Sequence, residues 1–357
     1  MPIRFMRVTI QGMALALILL ASPAMAASPV LGGQKYFKDW AVGCDNGSAC
    51  RAVALMRRDD GDNWLAVTVA RGMTMETPLS IAVSPRNNDK GPFQLRVDRR
   101  AILSGDLRDE FDAAEIKGRD ADKLIRAMLR GQELRFHNNA NDEMASASLS
   151  GLSAALRYMD AQQGRTGSKD ALVAKGRKLY RPAVFSTSSV TVQRIGTAVN
   201  LPDITESVAL AEQSICRQTR NGITEDYSYS LGRHAGQNGA LMLLGCGGDD
   251  VNTSIAVYIG TQTDGKKWQF VPATFDYRTV VPDETAAVPL LRNVHWDQDK
   301  QILSSFTKGR SLGDCGTAED YVWDGSSFRL VRATTMDECR GARDWLPRWT
   351  AALVYAD

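Results

Sequence analysis

Asp324-Gly325-Ser326-Ser327-Phe328-Arg329-Leu330-Val331-Arg332-Ala333-Thr334 repeats, at an offset of 60 residues, the pattern of Asp264-Gly265-Lys266-Lys267-Trp268-Gln269-Phe270-Val271-Pro272-Ala273-Thr274. In each copy an Asp-Gly pair, which tolerates the positive φ angles of a tight type I′ turn, precedes an aromatic residue, an apolar residue and a valine that can fix strand register. Each copy predicts a hairpin. Tyr321-Val322-Trp323 supplies the incoming strand of the second, and Cys246-Gly247 and Cys315-Gly316 stand upstream of the two copies at unequal distances. The expectation is a pair of related β-meander units over residues 204–357, each stapled by a disulfide.

Upstream, residues 27–163 carry short apolar runs broken by turn residues: Trp40 to Val42, Trp64 to Val69, Leu79 to Val83 and Phe93 to Val97. These read as strands, with Asp60-Gly61-Asp62 as a turn signal before the second. Two helices interrupt them. Leu124, Ile125, Met128 and Leu129 recur at helical spacing before Gly131, and Ser150 is placed to cap a helix carrying Leu152, Ala155, Leu156 and Met159. The fold class is therefore mainly β (α+β): a sandwich-like first domain with two packed helices, then the β-meander domain. Residues 164–203 change character, with Gly164, Gly167, Arg181-Pro182 and a Ser/Thr cluster from Ser186 to Thr191, and read as an exposed linker.

The N-terminus carries an address. Arg4 and Arg7 precede the apolar run Met13 to Ala21, and Ala24-Met25-Ala26 offers the small residues of a cleavage site. Residues 1–26 read as a secretory signal peptide cut after Ala26, because the run is far short of the ~20 residues that span a bilayer. Of the 43 basic and 41 acidic side chains, Arg4 and Arg7 fall in that leader, so the mature chain balances to zero. Such a balance gives no support to nucleic-acid binding or to an anionic membrane surface. The cluster Arg96, Arg99 and Arg100 beside Asp98 reads as a solvated strand end.

All six cysteines lie beyond the leader, as local couples: Cys44 with Cys50, Cys216 with Cys246, and Cys315 with Cys339. In an oxidising compartment an even count reads as disulfides, and those three pairings are expected out of fifteen. Metal ligation is disfavoured, since no Cys-x-x-Cys spacing occurs and no histidine neighbours a cysteine.

Catalytic signals are thin. The three histidines, His137, His234 and His295, read as loop or turn residues, and no nucleophile elbow, His-Glu-x-x-His helix or phosphate-cradling loop occurs. Asp249-Asp250 and Asp297 with Asp299 read as turns, without the glycine and distal glutamate of a calcium loop. Asp109-Glu110 and Glu225-Asp226 are adjacent in sequence, so their side chains diverge on a strand. No cofactor or metal is expected. What remains is a surface: Lys308, Arg310, Asp314 and Arg340 around the Cys315–Cys339 bridge, a charged glycine-rich loop held rigidly enough to recognise a partner. The reading is a non-catalytic envelope binding protein with a protein or glycan partner; the alternative is a hydrolase acting on cell-wall glycan or peptide.

Phe37-Lys38-Asp39-Trp40-Ala41-Val42-Gly43-Cys44, with Cys50, resembles the opening of the invasion-associated locus B family, and Leu149-Ser150-Gly151-Leu152-Ser153-Ala154-Ala155-Leu156 is similar to that family's C-terminal signature. Lys308 to Gly316, Tyr321-Val322-Trp323-Asp324-Gly325, Cys339-Arg340-Gly341 and Trp345-Leu346-Pro347-Arg348-Trp349 together resemble the uncharacterised proteobacterial family called domain of unknown function 1176. The resemblance spans nearly the whole mature chain. It implies a periplasmic or secreted protein of Gram-negative bacteria with no established activity.

Overall fold

The computed structural model describes residues 28–57, 61, 63–74, 77–85, 91–107, 113–180, 188–196, 200–203, 206, 209–210, 216, 225–234, 236–263, 266–279 and 288–355. The leader, Asp109-Glu110, the Asp60 and Asp62 turn residues and Asp264-Gly265 lie outside them. The protein is mainly β.

The first part contains β1 (Gln34–Phe37), β2 (Trp40–Cys44), β3 (Cys50–Ala54), β4 (Leu65–Arg71), β5 (Ser80–Pro85), β6 (Gly91–Val97), β7 (Arg100–Leu107) and β8 (Ala114–Lys117). Helix α1 (Gly118–Met128), β9 (Glu133–Asn138), β10 (Glu143–Ser148) and helix α2 (Leu152–Gln162) follow. One sheet runs β1-β2-β3-β4-β5-β8 and the other β10-β9-β6-β7. They share one apolar core with both helices. Trp40, fully buried on β2, donates its indole N–H to the Ser148 carbonyl of β10 at 2.9 Å and so ties the two sheets together. Leu124, Ile125 and Met128 of α1 and Leu152, Leu156 and Met159 of α2 are buried, at the helical spacing read from sequence. Each such side chain contributes on the order of 1.5–3 kcal/mol relative to exposure.

The cap of α2 differs from expectation. Gly151, not Ser150, occupies the N-cap, at φ 102°, and a Cβ there would lie 1.8 Å from the Phe37 carbonyl oxygen. Only glycine permits both that backbone angle and that approach to β1.

The second part contains β11 (Ser188–Val192), β12 (Tyr227–His234), β13 (Gln237–Gly248), β14 (Thr253–Thr263), β15 (Gln269–Pro272) and β16 (Leu290–Arg292). Then come β17 (His295–Asp297), β18 (Ile302–Lys308), β19 (Gly316–Trp323), β20 (Phe328–Met336) and β21 (Leu346–Tyr355). The meander β12-β13-β14-β15, with β16 beside β14, faces the sheet β11-β21-β20-β19-β18-β17 across a shared core that includes Leu243, Val257, Trp296, Tyr321 and Phe328. All three expected disulfides are present, and Cys44 and Cys50 sit directly opposite each other on β2 and β3.

Both repeated motifs lie between antiparallel strands, but they are not equivalent. The second turn has four residues, Asp324 to Ser327, between the paired Trp323 and Phe328, rather than a two-residue I′ turn. Asp324 organises it by accepting from the Ser326 and Ser327 amides at 2.8 Å, and only Gly325 takes a positive φ, 99°. Strand β20 is central, whereas β15 lies at an edge with Val271 exposed.

The stretch read as a linker is partly built into the fold. Residues 165–178 form a hydrogen-bonded loop with Ala171 and Leu172 buried, and β11 adds in parallel to β21. Backbone groups that find partners in the sheet do not remain as an exposed tether.

Candidate functional site

A cationic cleft lies at the junction of the β6–β7 turn with the C-terminal end of α1. Asp98, at φ 53°, turns the chain between the paired Val97 and Arg100. Its carboxylate accepts from the Gln132 and Glu133 amides at 3.0 Å, and its own amide donates to the Glu133 carbonyl, fixing the turn against the start of β9. Gly131 completes the junction: a Cβ there would stand 2.1 Å from Val97 Cγ1, so the chain leaving α1 passes directly over β6.

The result is a cleft of about 800 Å³ lined by Arg99 and Arg100 from the turn and by Lys123, Arg126 and Arg130 from α1 and its exit. All five are exposed, and among the described residues none of the five side chains has an ion-pair or hydrogen-bond partner. Arg96 leaves the group: it donates to Gln94 at 2.6 Å and to the Asn141 side-chain oxygen. An array of unpaired guanidinium and ammonium groups presents donors only, so its complement is an acceptor-rich anion. Sequence reasoning placed Arg99 and Arg100 at a strand end but missed the helical half. Its signal is the spacing of 123, 126 and 130, which puts three cations on one stripe opposite Leu124, Ile125 and Met128.

In the loop proposed from sequence, Arg310, Asp314 and Arg340 are held by partners within the protein, while Ser311 and Leu312 are exposed. Arg310 pairs with Asp314 through two hydrogen bonds of 2.7 and 2.5 Å, and the buried Asp314 also accepts from the Gly341 amide at 2.6 Å. Burial raises the Asp314 carboxyl, while the Arg310 hydrogen bond, the Gly341 amide and the Arg310 charge outweigh it and hold the group below the usual carboxylate range. Arg340 donates to the Met56 and Lys38 carbonyls and to Asp39 at 2.8, 3.2 and 2.9 Å, all on the first part of the chain. The backbone of Lys308 is held by Asn252 through two hydrogen bonds of 2.8 and 3.0 Å. Gly309 packs on the Cys315–Cys339 bridge, where a Cβ would meet Cys315 Sγ at 2.7 Å.

The histidines lie on separate strands, β9, β12 and β17. His137 is buried rather than solvated, its Nδ1 3.2 Å from the Asn141 carbonyl, because it closes the β9–β10 hairpin. The carboxylates form turns as expected: Asp249 accepts from the Val251 and Asn252 amides, and Asp297 from the Asp299 and Lys300 amides and the Lys300 ammonium. Glu225 pairs with the Tyr227 hydroxyl, and Asp226 accepts from the Gly245 amide. Among the described residues no three His, Cys, Asp or Glu side chains gather as a metal site.

The fold and cleft define a mainly β, disulfide-bridged protein in which no helix of the described residues is long and apolar enough to cross a membrane. The chain belongs to the family described as protein of unknown function DUF1176, whose profile matches residues 34–352. It is similar to the uncharacterized protein YpfG of Escherichia coli K12, 26% identical over 347 residues that cover 93% of this chain and 96% of the relative. Among solved structures it is similar to the invasion associated protein b of Bartonella henselae, at 16% identity, covering 37% of this chain and 99% of that one with a TM-score of 0.29.

Proposed function

We propose that the protein is an exported, periplasmic, non-catalytic binding protein of the cell envelope that holds an anionic glycan in the cleft between the β6–β7 turn and α1. The observation that carries this is the set of five unpaired cations around one cleft, a local concentration of positive charge in a mature chain whose basic and acidic side chains are equal in number. A glycan fits better than a protein face. Protein interfaces are anchored by buried aromatic and aliphatic side chains, whereas here the lining of five cations and Asp98 is interrupted by Val97, Ala101, Ile102, Ala127 and Gly131, with no aromatic residue. Export is supported by three disulfides, which persist in oxidising compartments, and by the leader with its cut after Ala26. In this reading residues 27–163 and 204–357 are two domains, the intervening 164–203 adds a loop to the first and β11 to the second, and the cleft lies on the first.

The test is binding of the mature protein to polygalacturonate, with neutral dextran as control. Polygalacturonate should bind in a salt-sensitive manner, and Arg99→Glu/Arg100→Glu/Arg130→Glu should abolish binding while the fold survives. Equal retention on dextran, or an unaffected triple variant, rejects the reading.

A further inference from the structure

A second pocket, of about 370 Å³, opens between the end of β4, the N-terminal turn of α1 and the loop after α2. Its lining includes two largely enclosed arginines, Arg71 and the buried Arg165. Arg71 ends β4 with its side chain 13% exposed; its nearest carboxylate oxygen, on Asp160, is 3.9 Å away, and its Nη1 is buried without a hydrogen-bond partner. Asp160 is fully buried and is already committed to the amides of Leu172, Val173 and Ala174 at 2.8, 2.9 and 3.4 Å, so it cannot approach Arg71 without losing those bonds.

Arg165, 6% exposed, lies with its guanidinium 4.1 Å above the Tyr180 ring and donates Nη2 to the Gly72 and Met73 carbonyls at 3.2 Å. Its Nε is buried and unpartnered as well. An unsatisfied buried donor is costly, more so when charged, and two on neighbouring guanidiniums are rare in a folded interior. Burial first, and the Arg165 charge second, lower the proton affinity of Arg71, and the opposing charge of Asp160 does not offset them.

The rim adds Lys169 and Lys175 against Asp122 and Asp170, which leaves the pocket net positive, and Thr74 and Thr77 bring hydroxyls. Guanidinium forks match the oxygen spacing of phosphate, and hydroxyls can donate to the oxygens that remain. The volume exceeds that of a lone phosphate and leaves room for a small organic group.

We propose that the pocket over Arg71 and Arg165 binds a phosphate group, free or carried by a small phosphomonoester. The site is distinct from the glycan cleft and shares with it only the edge residue Arg126. Calorimetric titration of the mature chain with inorganic phosphate and with glycerol 3-phosphate, at ionic strength held constant with chloride, tests it. Saturable binding is expected for at least one; the tighter of the two identifies the source. Arg165→Gln and Arg71→Gln should each weaken binding about tenfold or more, the loss of one charge-assisted hydrogen bond. Arg71→Lys, which keeps the charge and loses the fork, should weaken it too, and serves where the glutamine variants fail to fold. The triple variant at Arg99, Arg100 and Arg130 should bind phosphate unchanged, so failure of the glycan reading leaves this one standing. Absence of saturable binding by either probe, or full binding by Arg71→Lys and the glutamine variants alike, overturns the proposal.

Discussion

Asp314 shows how one side chain holds a loop. It joins Arg310 on one side to the Gly341 amide on the other, beside the Cys315–Cys339 bridge, with its carboxylate 6% exposed. Asp314→Asn should destabilise the protein by about 1–3 kcal/mol at neutral pH, because a buried amide replaces a charge-assisted acceptor of both donors. The folded carboxyl titrates below its unfolded value of roughly 3.9, so the unfolded chain binds more protons in that window. This contribution is full above about pH 4 and is lost as pH falls through the lower folded value. Melting curves of the two proteins should therefore converge in acid, and a gap that stays constant with pH would refute the role. Tyr321 offers a companion case: its fully buried hydroxyl donates to Glu319 at 2.6 Å, while Thr279 holds the other Glu319 oxygen. Tyr321→Phe should cost about 1–3 kcal/mol by leaving a buried carboxylate oxygen without its donor, read as a lower denaturation midpoint at unchanged slope.

At the scale of elements, the junction of α1 with β6 is the most exacting. Gly131→Ala would place a methyl carbon 2.1 Å from Val97 Cγ1, so the chain leaving α1 must lift away from the sheet. A loss of about 1–3 kcal/mol is expected from the overpacking, and Arg130 should move with the backbone, weakening polygalacturonate binding beyond the stability loss. Wild-type binding in a folded Gly131→Ala protein would separate the cleft from this junction. The elements themselves were largely legible. Strands such as β4 and β6 announced themselves by β-branched and aromatic runs, and both helices by apolar residues at i, i+3 and i+4. What was not legible is non-local. The parallel pairing of β11 with β21 joins Ser188 to Ala351, and no local pattern encodes that contact. The length of the turn after Trp323 depended on Asp324 capping two amides, which an Asp-Gly pair alone does not specify. Half of the cleft was visible as Arg99 and Arg100, but the helical half needed α1 to be laid against the turn, and the Arg71–Arg165 pocket needed two distant segments brought together.

Across the whole molecule, the two parts are joined by more than a connecting chain. Ala41, Val53 and Leu55 of the first share a core with Cys315, Met336, Trp345 and Leu346 of the second. Around it Arg51 donates to the Trp345 carbonyl at 2.6 Å, Thr68 to Asp344 at 2.6 Å, and Gly32 exchanges hydrogen bonds with Arg348 at 2.7 and 2.6 Å. Leu346 is fully buried at the centre, close enough to β2 that a Cβ on Gly43 would stand 2.8 Å from its own. An interface with a dry apolar centre and a satisfied polar rim makes the two parts interdependent, so heating the oxidised protein should give one transition seen alike by far-ultraviolet and tryptophan signals. Leu346→Asp puts an unpaired carboxylate into that centre, a penalty of several kcal/mol by desolvation. Each part retains its own core, one built on Trp40, Leu95 and Leu156 and the other on Val257, Tyr321 and Phe328. The variant should therefore not unfold outright but divide its melting into two transitions, the signals no longer coincident. A single, merely lowered transition would show that the parts are coupled by the surrounding polar contacts and β11 rather than by the apolar centre, and two transitions in the wild type would show that they are not coupled at all.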